Sequence, residues 1–227
     1  MKIFTIIKEK SERIPGKNFR EIMPGVPLWK YMLGKFSEHD IFVDTDSPSL
    51  IAAMQTDRDF KSLTSYQRLK EHEIAYNPTN EMFDRFLEEY LDDDEEPVVY
   101  THITSPFIQA DMVEAAYGKF QREYPMFDSA VACIKEKNFA FMAVNGKYLP
   151  LNFNPQEIVR SQDLPPIVFL AHGFFITTKA MFKKYGSRFG PNPLMCELTH
   201  PENFDLDVEE DWTEAMAIAR RIADEAV

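Results

Sequence analysis

"KIFTIIKEKSERIPGKNFR", residues 2–20, opens with a short β-branched apolar run and turns at once into a charged loop. The run over 2–8 reads as a buried strand. The loop over 9–27 carries Lys10, Arg13, Lys17 and Arg20 around a Pro15-Gly16 break. The chain has 227 residues and a formal net charge of −12, so this cationic loop stands against an acidic background. It lacks the G-x-x-x-x-G-K-[ST] and G-x-G-x-x-G patterns. Yet a loop that follows a first strand is where backbone N–H groups and cations commonly meet phosphates, and Lys8, Arg13 and Lys17 are within reach in principle. A solvated charged turn is the plain alternative.

Working outward, strand and helix signals alternate. "PLWKYMLGKF" (27–36) has helical spacing with proline suited to a first turn. "DIFVDTDS" (40–47) reads as a strand, "PSLIAAMQ" (48–55) as a helix capped by Asp46 or Ser47, and "FKSLTSY" (60–66) as a weaker strand. "NEMFDRFLEEYL" (80–91) is amphipathic, and "DDDEE" (92–96) reads as a solvated connector. A strand over 97–104, a helix over 109–124 and a strand over 128–136 complete the pattern. This order predicts an α/β fold: a mostly parallel, Rossmann-like sheet in three α/β/α layers. Ligands of such sheets bind beyond the carboxyl ends of the strands, so 8–20, 44–47 and 101–106 are expected to converge on one crevice. Residues 138–168 depart from the pattern. Asn145-Gly146 between apolar runs signals a hairpin, and the segment reads as an arm suited to dimer contact. A strand over 167–178, a helix over 179–186 and a last helix after "ENFDLDVEEDW" (202–212) follow.

Composition fits one domain over 1–227 with a sizeable core, since 44% of residues are hydrophobic and 27% charged. No basic stripe invites nucleic acid, and no apolar stretch is long enough for a membrane span. The N-terminus becomes charged too soon for a signal peptide. Cys133 and Cys196 form no CxxC, and Cys133 sits in an apolar run, so a reducing, cytoplasmic setting is expected.

In "FDLDVEED", Asp205 and Asp207 would share one face of an extended strand, with Leu206 turned to the core. Two carboxylates so placed suit Mg²⁺, which keeps waters and substrate phosphates as its other ligands. An exposed acidic turn before a helix is the alternative. Asp44 and Asp46 offer a metal assist or an anchor for the cationic loop, with helix capping the simpler use. His102, Thr104 and Ser105 at a strand end suit hydrogen bonds to a ribose or a substrate. His172 reads as a core histidine or a pocket residue, and His39, His72 and His200 as surface residues. No zinc spacing, nucleophile elbow or nucleophile–base pair is evident, which leaves charge handling and positioning.

Taken in order, these segments resemble the cytidylyltransferases that make CMP-activated acid sugars, typified by the acylneuraminate (CMP-sialic acid) synthetases. "SERIPGKN" is similar to that family's SKRxPGKN, "FVDTDS" to VSTDS, "HITSPF" to QPTSPL, "RSQDLPP…AHGFFITT" to RRQDLPP…NGAIYI, and "FDLDVEEDWTEA" to IDIDTEEDFxxA. The resemblance implies transfer of CMP from CTP to a small acidic acceptor, a nonulosonate such as a sialate, with release of pyrophosphate. It implies Mg²⁺ on Asp205 and Asp207, with Lys17, Arg13 and Asp207 catalytic. Lys8, Ser11, Pro15, Gly16, Asn18, Thr104 and Ser105 would then serve the nucleotide, and His102, Arg160, Gln162 and His172 the acceptor. It further implies a homodimer whose arm reaches toward the partner's site. The chain departs from the family at Lys8 (usually Arg), at His102 (Gln), at Ser161 (Arg) and at His172-Gly173-Phe174 (Asn-Gly-Ala). These departures leave open a different nonulosonate, a phosphonate acceptor, or a nucleotide-binding relative without catalysis.

Overall fold

A computed structural model describes residues 1–74 and 78–225; residues 75–77 and 226–227 of the expected 1–227 unit lie outside it. Its strands are β1 (Lys2–Ile7), β2 (Glu21–Met23), β3 (Val26–Pro27), β4 (Asp40–Thr45), β5 (Ser62–Gln67), β6 (Pro97–Thr101), β7 (Ser129–Glu136), β8 (Phe141–Val144), β9 (Lys147–Pro150), β10 (Ile167–Thr178) and β11 (Pro193–Glu197). The α-helices are α1 (Leu28–Leu33), α2 (Pro48–Thr56), α3 (Lys70–Ile74), α4 (Pro78–Tyr90), α5 (Ala110–Glu123), α6 (Lys179–Tyr185) and α7 (Glu209–Glu225).

Seven strands form one sheet in the order β11-β7-β10-β6-β1-β4-β5. β1 pairs in parallel with β4 and β6, β4 with β5, and β7 with β11; β10 alone runs antiparallel, between β6 and β7. The expected mostly parallel sheet is therefore present. The strand order turns back at β1 and β6, which places a crevice beyond their carboxyl ends. Helices cover both faces because β1 alternates. Ile3 and Ile7 join a core with Leu28, Trp29, Val113, Phe120 and Trp212. Phe4 joins a second core with Met82, Phe83, Phe86, Leu87 and Phe182. Burying α4's apolar stripe against Phe4 and Tyr100 stabilises that layer by about 25 cal/mol per Å² of apolar surface removed from water.

Several expected boundaries shift. The strand read over 97–104 ends at Thr101, where 102–107 turns away, and the helix read over 27–36 passes into a 3₁₀ turn at Gly34–Phe36. β11, α3 and the small β2–β3 pair carry no strong periodic signal and went unread. "FDLD" is not a sheet strand. Residues 204–207 run extended along the rim of the sheet, held by the Leu206 N–H, which donates to the Thr104 carbonyl at 2.8 Å. The arm is a separate two-stranded hairpin, β8–β9, turned by Asn145 (φ 49°) and Gly146 (φ 75°). Positive φ at both central residues matches the right-handed twist of the flanking strands. The connector 92–96 is less free than expected: Glu96 pairs with Lys2 at 2.7 Å and Asp94 with Lys179 at 3.4 Å.

Arg68, just past β5, is buried together with Asp44 at the end of β4, and its Nε donates to the carboxylate at 2.7 Å. The same guanidinium reaches the Ile7 carbonyl at 3.4 Å, so it clasps the ends of β1, β4 and β5. Removing one partner of such a pair leaves a buried charge uncompensated. Arg68→Met is expected to lose about 3 kcal/mol of stability, read as a lowered urea midpoint with an unchanged slope.

Candidate functional site

The loop after β1 is shaped first by Gly16. Its φ of +66° is open to glycine at little cost, and it starts a single 3₁₀ turn at Lys17–Phe19. That turn carries Lys17 inward, where the residue is only 8% exposed. Its Nζ donates to the Leu206 carbonyl at 2.7 Å. Burial pulls the Lys17 pKa below its usual value, while Asp205 pulls it back up and Arg13 adds to the lowering. Asn18 holds the loop's other end by donating to the Lys8 carbonyl at 2.8 Å.

Three loop cations dock on the chain's last segment. Arg13 pairs with Asp207, Lys17 takes the Leu206 carbonyl, and Arg20 pairs with Glu209 at 2.5 Å with its guanidinium 4.4 Å from the Trp212 ring centroid. The N-terminus of α7 is fixed by Asp211, which accepts from the N–H groups of Asp207 (2.7 Å) and Val208 (2.8 Å). This is the backward half of a capping box, and it sets the turn that presents Asp207.

Between the loop and the end of β6 lies a cleft of about 450 Å³. Lys8, Lys10, Ser11, Arg13, Lys17 and Asn18 line one side, and Tyr100, His102 and Thr104 the other. A smaller cavity of about 100 Å³ contains Ser105, His172 and Asp205. The two are linked by the neighbouring Thr104 and Ser105 and by the His102 and His172 rings, 5.6 Å apart. The expected site residues thus converge, with four exceptions. Pro15 and Gly16 shape the loop without lining the cleft. Arg160 and Gln162 stay on the exposed excursion, where Arg160 pairs with Asp163 at 2.8 Å and the Gln162 carbonyl accepts from Lys137 at 2.9 Å.

Segment 44–47, expected at the same crevice, turns aside from it. Asp44 serves Arg68, Ser47 caps α2 by accepting from Leu50 N–H, and Asp46 accepts from the Glu9 N–H at 2.7 Å, anchoring the cationic loop. His172 is exposed rather than part of the core. His39 pairs with Glu114 at 2.8 Å. His102 is pushed down to about 3 by burial, with Arg188 and His172 adding repulsion, so the ring is neutral at physiological pH.

Asp205 and Asp207 flank Leu206, whose side chain is fully buried. Asp205 Oδ1 is buried with no hydrogen-bond partner among the described residues. A buried carboxylate oxygen without a partner is a donor that suits a hard divalent cation. Among the described residues, no group of three or more His, Cys, Asp or Glu is placed to hold a metal ion. A two-carboxylate site fits an ion that keeps waters and phosphate oxygens as its remaining ligands.

Sequence reasoning missed Lys35 and Arg188. Lys35 lies against the Tyr31 ring at 4.4 Å, and its Nζ donates to the Pro106 carbonyl, pinning the turn that carries Ser105. Its place in an otherwise apolar helical stretch was the available signal.

No family model matches the chain, and no curated protein matches it in sequence. Solved structures do match in fold. A CMP:2-keto-3-deoxy-manno-octonic acid synthetase, solved in complex with CTP, is 17% identical with a TM-score of 0.64, covering 96% of this chain and 98% of its own. A 4-diphosphocytidyl-2C-methyl-D-erythritol synthase from Anaerococcus prevotii DSM 20548 is 14% identical with a TM-score of 0.64, at 96% coverage of each chain. A 2-C-methyl-D-erythritol 4-phosphate cytidylyltransferase from Francisella tularensis is 12% identical with a TM-score of 0.58, covering 95% of this chain and 98% of its own. At these identities the likeness establishes the shared fold over nearly the whole chain.

Burial pushes the Lys35 ammonium down to about 7 from the ordinary 10.5. Above pH 7 the folded protein has shed a proton that the unfolded chain still binds, so stability rises with pH until the unfolded lysine also titrates. Denaturation in urea is expected to show a gain of about 3 kcal/mol between pH 7 and pH 9.5, absent in Lys35→Met.

Proposed function

We propose that this chain is an Mg²⁺-dependent cytidylyltransferase that transfers CMP from CTP to a small acidic acceptor and releases pyrophosphate. The carrying observation is the meeting of two remote segments. The cationic loop after β1 and the acidic pair before α7 face each other at the strand-order reversal, joined by Lys17 on Leu206 and Arg13 on Asp207. The fold likeness to CTP-using enzymes supports the choice of nucleotide. His102 and His172, where the resembled family has other residues, leave the acceptor open between a nonulosonate and a phosphonate.

In the proposed reaction an acceptor oxygen attacks the α-phosphorus of CTP, and the bond to the bridging oxygen of pyrophosphate breaks. Lys8, Lys10 and Arg13 line the cleft where the triphosphate would lie and offset its charge. Lys17, held by the Leu206 carbonyl, is a cation fixed before substrate arrives, so little reorganisation opposes its action. Asn18 and Ser11 supply neutral hydrogen-bonding groups on the same wall. Mg²⁺ held by Asp205 and Asp207 would neutralise charge on the transferring phosphate. Asp207 pairs with Arg13, which also lines the cleft, so the carboxylate that would help hold Mg²⁺ also positions a cation toward the phosphates. The whole chain would act as one domain, with 138–168 as its arm.

Pyrophosphate release should be followed with each of the four ribonucleoside triphosphates, Mg²⁺ and a panel of acidic acceptors. CTP is expected to be preferred, and activity should fall by about 10³-fold or more in Asp205→Ala/Asp207→Ala. A preference for UTP or GTP would refute the cytidylyl assignment. Unaltered turnover in the double variant would refute the metal site. CTP binding without turnover across the panel would favour a non-catalytic nucleotide-binding protein.

We also propose that the arm pairs two copies of the chain. Phe141, Met142, Tyr148 and Leu149 on the hairpin are between 44% and 73% exposed, and Val168, Phe169 and Leu170 on the outer half of β10 are exposed as well. So many exposed large apolar side chains in one excursion mark an interaction face. Sedimentation is expected to give a dimer, shifted toward monomer by Phe141→Asp/Tyr148→Asp. A monomeric wild-type chain at micromolar concentration would remove this proposal.

A further inference from the structure

Lys35 sits in the 3₁₀ turn after α1, and its burial needs a reason. Its ammonium lies 4.4 Å from the Tyr31 ring centroid and 5.7 Å from that of Phe107. Among the described residues no carboxylate pairs with it, and burial is the whole cause of its lowered pKa. A cation taken out of water without a counter-charge costs folding free energy, and here no ion pair offsets that cost. What Lys35 does hold is the carbonyl of Pro106, itself buried. Pro106 lies in the turn 102–107, and that turn grips the lead into α7 at two points. The Thr104 carbonyl accepts from the Leu206 N–H at 2.8 Å. The Phe107 ring meets the Phe204 ring edge to face, with centroids 5.6 Å apart. Phe204 and Leu206 are the residues on either side of Asp205.

We propose that Lys35 is a positioning residue for the segment 204–206, acting through its hold on Pro106 and the turn 102–107. Where Asp205 is read as a metal ligand, this rests on the Mg²⁺-dependent function proposed above; the seating of the segment does not. Three features carry it. The two contacts from the turn fall on both flanks of Asp205, so a shift of the turn moves both. Asp205 Oδ1 is buried with no hydrogen-bond partner among the described residues, so that oxygen is placed by the backbone around it and by no bond of its own. Without the Lys35 donor the Pro106 carbonyl would be buried and unpaired, at a cost that the turn can escape only by moving toward another donor or toward water. Lys35 is far from the cleft wall of Lys8, Lys10 and Arg13 in role: it touches the turn and not the nucleotide side.

The test uses the full chain, Lys35→Met and Lys35→Arg. Methionine keeps an apolar stem beside Tyr31 and Phe107 and removes the donor; arginine keeps a donor. Amide hydrogen exchange, followed by NMR without metal or nucleotide, reads the Leu206 N–H directly, with the Phe4 and Val43 amides of β1 and β4 as controls for the sheet. Leu206 exchange is expected to rise about tenfold in Lys35→Met, with the two controls unchanged, and to rise less in Lys35→Arg. Mn²⁺, a paramagnetic stand-in for Mg²⁺, is then titrated by water-proton relaxation. Its affinity is expected to fall about tenfold in Lys35→Met, as for other residues that orient a metal ligand without touching the metal. A merely structural lysine would leave Leu206 exchange in step with the controls. Equal Leu206 exchange in wild type and Lys35→Met, or a rise shared equally by Phe4 and Val43, would therefore overturn the proposal. Faster Leu206 exchange with unaltered Mn²⁺ affinity would overturn its extension to Asp205. A wild-type chain that binds no Mn²⁺ would refute the metal site of the proposed function, while the exchange rates, measured without metal, still decide the role of Lys35.

Discussion

Leu206 is the constraint on which the site depends. Its side chain is fully buried, its N–H donates to the Thr104 carbonyl, and its carbonyl accepts from Lys17. One residue therefore joins the loop after β1, the turn after β6 and the lead into α7. Lys17 gains a strong acceptor there at the expense of desolvation, which is why its pKa falls even with carboxylates close by.

The cations of the first loop divide into two groups. Arg13, Lys17 and Arg20 clasp the segment that leads into α7 and its first turn. Lys8 and Lys10 line the cleft without a carboxylate partner among the described residues. This division explains how an acidic chain concentrates positive potential at one place. Asp207 and Glu209 are taken up by the clasp, and Lys8, Lys10, Arg13 and Lys17 outnumber Glu12 at the cleft wall. Opposite lies a neutral histidine backed by one arginine, a wall of much lower charge.

Most of this frame was readable from the residues. The alternation of apolar runs and amphipathic stretches is a local signal, set by which faces must be buried, and it carried through to seven strands with helices on both faces. Asn145-Gly146 signalled its hairpin because two consecutive positive φ values are accessible to few other pairs. The loop holding Lys17 was legible as a cationic segment because charged residues follow directly on an apolar strand. The failures came where a role depends on a distant partner. Asp44, offered as a metal assist, serves Arg68 instead, and 204–207 lies beside the sheet without joining it.

By itself the sequence determined the α/β class, the cationic first loop, the acidic pair near the C-terminus and the apolar arm. Each of these follows from local composition and periodicity. Only the tertiary structure decided that Leu206 bridges Lys17 and Thr104, that Asp46 anchors the loop, and that Arg188 stands behind His102 between two rings. Those contacts join residues far apart in the chain. They are fixed by how strands order themselves in the sheet and by which polar groups must find partners once water is excluded, and neither leaves a periodic trace in the residues concerned.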